Sequence, residues 1–87
     1  MKILAIITKK QSDRTVLIGF NSNPLNIGFD TFAYVSKQGA EALAGTLEAG
    51  TQFNIECNGV ELVQLHNVND EPIVHADGTP VYKAVFK

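Results

Sequence analysis

The chain of 87 residues contains no tryptophan, three prolines and a single cysteine, Cys57. One cysteine excludes a disulfide within the chain, so nothing indicates an oxidising compartment. The N-terminal aliphatic run from Ile3 to Ile7 is too short for a signal peptide or a membrane span. We therefore expect a soluble, cytoplasmic protein that forms one domain over residues 1–87.

Motifs of catalysis and metal binding are also missing. The chain has no glycine-rich phosphate loop and no serine nucleophile elbow. His66, His75 and Cys57 are its soft metal ligands, and their spacing fits no zinc pattern. Cys57 alternates with Phe53 and Ile55 on one strand face, which indicates a buried thiol rather than a nucleophile. We expect neither an enzyme nor a bound cofactor or metal.

Positive charge is missing from the middle of the chain. Residues 38–79 hold seven carboxylates and no lysine or arginine, whereas residues 1–37 hold five cations and two carboxylates. The net charge of −2 excludes the strongly basic balance that is typical of proteins that bind duplex DNA. The N-terminal cations are nevertheless concentrated enough to form one local basic patch.

Hydrophobic patterning in the first part of the chain predicts three strands, at residues 2–10, 15–20 and 29–35. The first strand is expected to be buried on both faces at its centre, because its apolar run does not alternate with polar residues. Polar residues 9–14 predict a hairpin connection, and residues 21–28 predict a loop. Gly19 in the second strand predicts a bulge or the close approach of another group.

A short helix is predicted after the third strand. Ser36 can cap its N-terminus. The apolar stripe follows helical spacing and consists of Ala40, Leu43, Ala44 and Leu47. Gly50 is expected to end this segment.

The remainder of the chain predicts further strands and turns. Residues 51–57 alternate cleanly and predict a half-buried strand. Asn58-Gly59 predicts a type I′ turn that joins this strand to an antiparallel strand at residues 60–67. Residues 73–86, with Asp77-Gly78 as a turn, predict a last, smaller hairpin. No internal repeat is apparent.

The order of these elements favours a mainly β fold with one short helix. Three strands, a helix, further strands and a closing hairpin match the connectivity of a five-stranded OB-like barrel with a C-terminal hairpin. The alternative is an open α+β sheet with one helix packed on it.

Residues 40–62, AEALAGTLEAGTQFNIECNGVEL, resemble the helix, glycine and fourth strand of bacterial single-stranded-DNA-binding proteins. The matching places are those of Leu47, Gly50, Gln52, Phe53, Ile55 and Glu56. The small size is also similar to that of the helix-destabilising proteins of filamentous phages. Cys57 stands where the family has glycine, and the chain has no acidic C-terminal tail. The resemblance implies an OB fold and single-stranded-DNA binding.

Binding of single strands needs cations for phosphates and aromatic faces on which bases stack. The candidates for this site are Lys9, Lys10, Arg14, Phe32, Tyr34, Tyr82 and Lys83. The alternative for Phe32 and Phe86 is a place in the core, and for the lysines a solvated surface.

The leading hypothesis is non-catalytic, sequence-independent binding of single-stranded nucleic acid by a homo-oligomer, with a dimer favoured. The rival hypothesis is a small protein-interaction or structural accessory module, of the kind found in phages or mobile elements. Such a module would use a sheet edge or its acidic face.

Overall fold

The computed structural model describes residues 2–21 and 28–87. Their elements are, in chain order, β1 (Lys2–Gln11), β2 (Thr15–Phe20), β3 (Thr31–Ser36), α1 (Lys37–Ala44), β4 (Gln52–Glu56), β5 (Val60–Gln64) and β6 (Tyr82–Phe86). The predicted mainly β chain with one short helix is thereby confirmed. Most of the loop predicted at residues 21–28 lies outside the described residues.

The strands form one six-stranded sheet in the order β4-β1-β2-β3-β6-β5. All neighbouring pairs are antiparallel except β3 and β6, which are parallel with Tyr34 opposite Lys83. The edges of the sheet are β4 and β5, and these two strands are not hydrogen-bonded to each other as a ladder. The sheet is therefore not closed into a barrel by strand pairing at its edges.

The hairpin predicted at Asn58-Gly59 is wrong. The three residues 57–59 link β4 to β5 at opposite edges of the sheet, and neither Asn58 nor Gly59 has the positive φ that a type I′ turn requires. The Asn58 N–H donates to the Lys87 carbonyl, and the Lys87 N–H donates to the Gly59 carbonyl at 2.9 Å. These bonds tie the link to Lys87, and the chain continues directly from one edge strand to the other instead of reversing.

The core lies on the inner face of the sheet, under α1. Ile7, Val16, Ile18 and Phe20 are its largest fully buried side chains. The helix packs against β2, β3 and β4 on this face. On the opposite face of β1, Leu4 keeps 43% of its surface exposed. Burial on both faces of β1 was therefore a wrong prediction, since Ile3, Ala5 and Ile7 are buried in the core whereas the opposite face stays partly exposed.

The ends of α1 are set by two local features. Ser36 has extended backbone, and its Oγ accepts a hydrogen bond from the Gly39 N–H at 3.1 Å, as predicted for the cap. Gly45 has a φ of 81°, and its N–H donates to the Glu41 carbonyl at 2.8 Å. The left-handed Gly45 therefore ends the helix, and the prediction that Gly50 does so is wrong.

Residues 65–80 contain an internal repeat that sequence inspection missed. The segments 65–72 (LHNVNDEP) and 73–80 (IVHADGTP) are two consecutive eight-residue hairpins. In both, the N–H of the third residue donates to the carbonyl of the seventh, at 2.9 Å and 2.8 Å. The smaller hairpin predicted near Asp77-Gly78 is thus confirmed for residues 73–80, whereas residues 82–86 pair with β5 and β3.

A closed ring of backbone hydrogen bonds holds these two hairpins together. The Ile73 N–H donates to the Leu65 carbonyl, the Val81 N–H to the Ile73 carbonyl, and the Leu65 N–H to the Val81 carbonyl. All three distances are 2.9 Å. We call residues 65–81 the double hairpin. The ring satisfies the backbone groups of three neighbouring chain segments, and it fixes the double hairpin between β5 and β6.

Candidate nucleic-acid interface

Two adjoining depressions lie between the β1–β2 hairpin, β3, β6 and the double hairpin. The larger one, which we call the basic depression, has a volume of about 1140 Å³. Its lining includes Lys10, Asp13, Arg14, Tyr34, Leu65, Ile73, His75, Val81 and Lys83. The smaller one, which we call the aromatic depression, has a volume of about 640 Å³. Its lining includes Lys10, Leu17, Asp30, Phe32, Leu62, His75, Asp77, Thr79, Pro80 and Tyr82.

Lys10 and His75 line both depressions and therefore mark the boundary between them. Lys10 comes from β1, and His75 comes from the second hairpin of the double hairpin. A ligand strand that passes from one depression to the other would meet both side chains. His75 faces this path without having been recognised as a site residue from the sequence.

The two depressions differ in their charge balance. Lys10, Arg14 and Lys83 face the basic depression together with a single carboxylate, Asp13. Among ion pairs between described residues, Lys87 Nζ and Glu61 Oε2 lie 3.0 Å apart, and none of these three cations is paired in that way. Exposed cations near a concave surface attract phosphate. The basic depression is accordingly suited to a nucleic-acid backbone.

The Phe32 ring packs over a gap in the sheet that Gly19 provides. The two residues are opposite each other in the β2–β3 register, and a Cβ added to Gly19 would lie 2.8 Å from Phe32 Cε1. The close approach expected at Gly19 is thus made by this ring. Phe32 still keeps 47% of its surface exposed. It is therefore available for stacking rather than buried in the core.

Tyr34 lies on the same face of β3 as Phe32, because the two residues are separated by the buried Ala33. Its neighbours across the strands are Leu17 on β2 and Lys83 on β6. A half-buried tyrosine beside a lysine offers a base an aromatic face and offers a phosphate a cation. This strand-to-strand pairing could not be derived from the sequence, since β3 and β6 are 45 residues apart.

The two remaining aromatic candidates occupy the inner side of β6. Phe86 packs edge-to-face on the buried Phe20, with ring centroids 5.7 Å apart. Tyr82 is half-buried and packs partly against the same core cluster, but it also lines the aromatic depression. Phe86 therefore belongs to the core, as the alternative interpretation held, whereas Tyr82 contributes to both the core and the surface.

Six of the seven candidate residues line one or both depressions: Lys10, Arg14, Phe32, Tyr34, Tyr82 and Lys83. Lys9 is exposed and lines neither. It lies next to Lys10 in the part of β1 where the register with β2 shifts, between Ile7 and Gln11, so regular alternation does not set the directions of the two side chains. The structure therefore separates two lysines that the sequence alone treats as equivalent.

The double hairpin contributes one carboxylate, that of Asp77, to the aromatic depression. From the sequence, Asp77 was interpreted only as part of a turn. Asp77 Oδ1 accepts hydrogen bonds from the Thr79 hydroxyl at 2.6 Å and from the Thr79 N–H at 3.0 Å. The hydroxyl bond, followed by the backbone bond, lowers the pKa of Asp77 from its ordinary value. The two hydrogen bonds therefore orient Asp77 and favour its ionised form. The spacing of Asp77 and Thr79, two residues apart on either side of Gly78, was the sequence signal that could have located it.

Comparison with protein-family models, with curated proteins and with solved structures finds no match to this chain. Within residues 2–21 and 28–87, no helix is long and apolar enough to cross a membrane. In the same part of the chain, no three histidine, cysteine or acidic side chains are grouped as metal ligands would be.

Proposed function

We propose that this protein binds single-stranded nucleic acid without catalysis, across the basic and aromatic depressions. The observation that carries the proposal is that six candidate residues meet at two adjoining depressions. They come from β1, the β1–β2 connection, β3 and β6. The chemistry of these residues alone, as cations and aromatic rings, predicts contacts with phosphates and bases.

The division of labour follows from the chemistry of a single strand. Lys10, Arg14 and Lys83 contact successive phosphates in the basic depression. Phe32 and Tyr34 receive bases on their faces, and each such stack contributes roughly 1–3 kcal/mol. Backbone contacts and stacking do not depend strongly on the base, so most of the binding free energy is independent of sequence.

An OB-like barrel is the fold that we propose for this binding protein. Four features support it: β1 pairs with both β2 and β4, α1 lies between β3 and β4, β3 is parallel to the last strand, and only residues 57–59 separate the two edge strands. In this interpretation β4 and β5 are two halves of one bent strand. The depressions then lie where loops of OB folds bind oligonucleotides.

A salt titration with matched variants tests the proposed binding. Fluorescence anisotropy with a labelled oligothymidine should show affinity that falls as salt rises, with a slope of about 0.7 per phosphate contacted. The triple variant K10A/R14A/K83A should bind much more weakly and with a shallower salt slope.

The control variant K2A/K9A/K87A removes the same number of positive charges, three, from residues that line neither depression. The exposed Lys87–Glu61 pair that it breaks contributes little to stability. This control should bind nearly as the unaltered protein does. Equal losses in the two triple variants, or no binding at low salt, would count against the proposal.

A protein-interaction role is the second candidate, and it is favoured by the edge strands. β5 (Val60–Gln64) is an edge on which Leu62 keeps 39% of its surface exposed, and edge strands readily pair with other chains. We propose a homodimer through this edge. Sedimentation equilibrium should detect it, and Leu62→Lys should shift the protein towards monomer. A monomer across the micromolar range would exclude this dimer.

A further inference from the structure

The two depressions share Lys10 and His75 but present opposite charges to a ligand. Three cations and one carboxylate line the basic depression, whereas Lys10 and two carboxylates, Asp30 and Asp77, line the aromatic depression. A phosphate group would be repelled by the two carboxylates. An occupant of the aromatic depression that donates hydrogen bonds is therefore favoured over an anionic one.

The remaining lining of the aromatic depression is largely apolar. It includes Leu17, Phe32, Pro80 and Tyr82. Leu17 lies on the outer side of the sheet but is only 6% exposed, so surrounding residues cover it at the base of the depression. A planar ring fits such a surface, since aromatic and aliphatic side chains pack against its faces.

Two hydrogen bonds orient the Asp77 carboxylate, which lines the same depression. Its Oδ1 accepts two hydrogen bonds from Thr79, at 2.6 Å and 3.0 Å, and Thr79 also lines the depression. A carboxylate has about four lone-pair sites, so two bonds leave acceptor capacity for a ligand. A pre-oriented acceptor discriminates between ligands better than a mobile one.

We propose that the aromatic depression selects a nucleobase with an exocyclic amino group, namely cytosine, adenine or guanine, by accepting its amino hydrogens on Asp77. This inference rests on the proposed function and deepens it. Carboxylates accept from the amino group of cytosine in known recognition chemistry. Thymine and uracil carry a carbonyl oxygen where cytosine carries its amino group, and their one donor on this edge, N3–H, lies between two carbonyl oxygens that a carboxylate repels. The binding is then independent of sequence along the backbone but selective at one base position.

Competing homopolymers of equal length test this selectivity. Anisotropy should be measured with oligodeoxycytidine and oligothymidine at slightly alkaline pH, where cytosine is neutral. We expect cytidine tracts to bind roughly fivefold to tenfold more tightly, as one additional hydrogen bond to a charged group at an exposed site implies. Equal affinities would overturn the selectivity while leaving the proposed function in place. No binding of either tract would overturn both.

The variant Asp77→Asn separates the carboxylate from general charge. The asparagine amide can still accept the Thr79 N–H, but it also donates, so thymine becomes acceptable. Both tracts should then bind the variant at least as tightly as they bind the unaltered protein. The ratio of the affinities for the cytidine and thymidine tracts should fall close to one. A ratio unchanged in this variant, with an unfolding midpoint equal to that of the unaltered protein, would overturn the role of Asp77.

Asp70→Asn is the matched control, because Asp70 lies in the first hairpin of the repeat and lines neither depression. It makes the same charge change seven residues away in sequence. Asparagine also tolerates the positive φ of 61° found at this position. The preference for cytidine tracts should survive in this variant. Its loss there would show that net charge, rather than Asp77, sets the preference.

Discussion

Asp70 and Gly78 occupy the same position in two consecutive turns of the double hairpin. Both N–H groups donate to the carbonyl three residues earlier, those of Asn67 and His75, and both residues have positive φ, 61° and 90°. A left-handed backbone suits glycine and is tolerated by aspartate. The eight-residue repeat is therefore a repeat of backbone conformation more than of side chains.

Gly78→Ala should destabilise the protein by about 1 kcal/mol, because an L side chain strains the left-handed backbone. Urea unfolding measures this change. Gly59→Ala is the control, since Gly59 lacks a positive φ and an added Cβ would meet nothing within 4 Å. That substitution should be neutral or slightly stabilising. A larger cost at Gly59 than at Gly78 would favour the turn that the sequence predicts at Asn58-Gly59.

Gly19→Ala should displace the Phe32 ring. The new Cβ would lie 2.8 Å from Phe32 Cε1 and 3.2 Å from Ile6 Cγ2, so the exposed ring must move. We expect a loss of roughly 1 kcal/mol in stability and weaker binding of oligothymidine, because the stacking face is reoriented. In the double variant G19A/F32A the stability loss should be smaller than the sum of the single losses. Additive losses would show that the two residues do not interact.

Phe86→Ala should cost about 2–3 kcal/mol, because it removes the edge-to-face contact with the buried Phe20 and opens space beside it. The neighbouring Val85 is 40% exposed and points to the opposite face of β6. Val85→Ala should therefore stay within about 0.5 kcal/mol of the unaltered protein. Thermal or urea unfolding compares the two. Similar losses in both variants would contradict the inward orientation of Phe86.

Thr79→Val should raise the pKa of Asp77 towards its ordinary value, because it removes the hydroxyl that contributes most to the lowered pKa. The pKa of Asp77 is lower in the folded protein than its ordinary value. The interaction with Thr79 therefore stabilises the fold at pH values above that ordinary pKa. The stabilisation is lost as pH falls through the lowered pKa. A carboxyl-carbon NMR titration reports the change, and Thr31→Val, which alters the hydrogen bond to Asp30, should leave it unaffected.

Local patterns in the sequence predict the elements well and their partners poorly. Alternation in residues 51–57 matches β4, and Ser36 caps α1 as expected. The same local reasoning fails at Asn58-Gly59, where the chain does not turn back. A turn preference there is worth little beside the pairing of β4 with β1 and of β5 with β6, so tertiary contacts decide the path of the chain.

By itself, the sequence determines which side chains share a strand face and which chemistry is present. Ala33 faces inward between Phe32 and Tyr34 because side chains alternate along a strand, whatever the sheet around them. Only the tertiary structure brings Tyr34 beside Lys83, separates Lys9 from Lys10, and places Asp77 and Phe32 in the lining of one depression. These relationships join residues that are distant in sequence through strand order and the double hairpin, and no local pattern encodes that order.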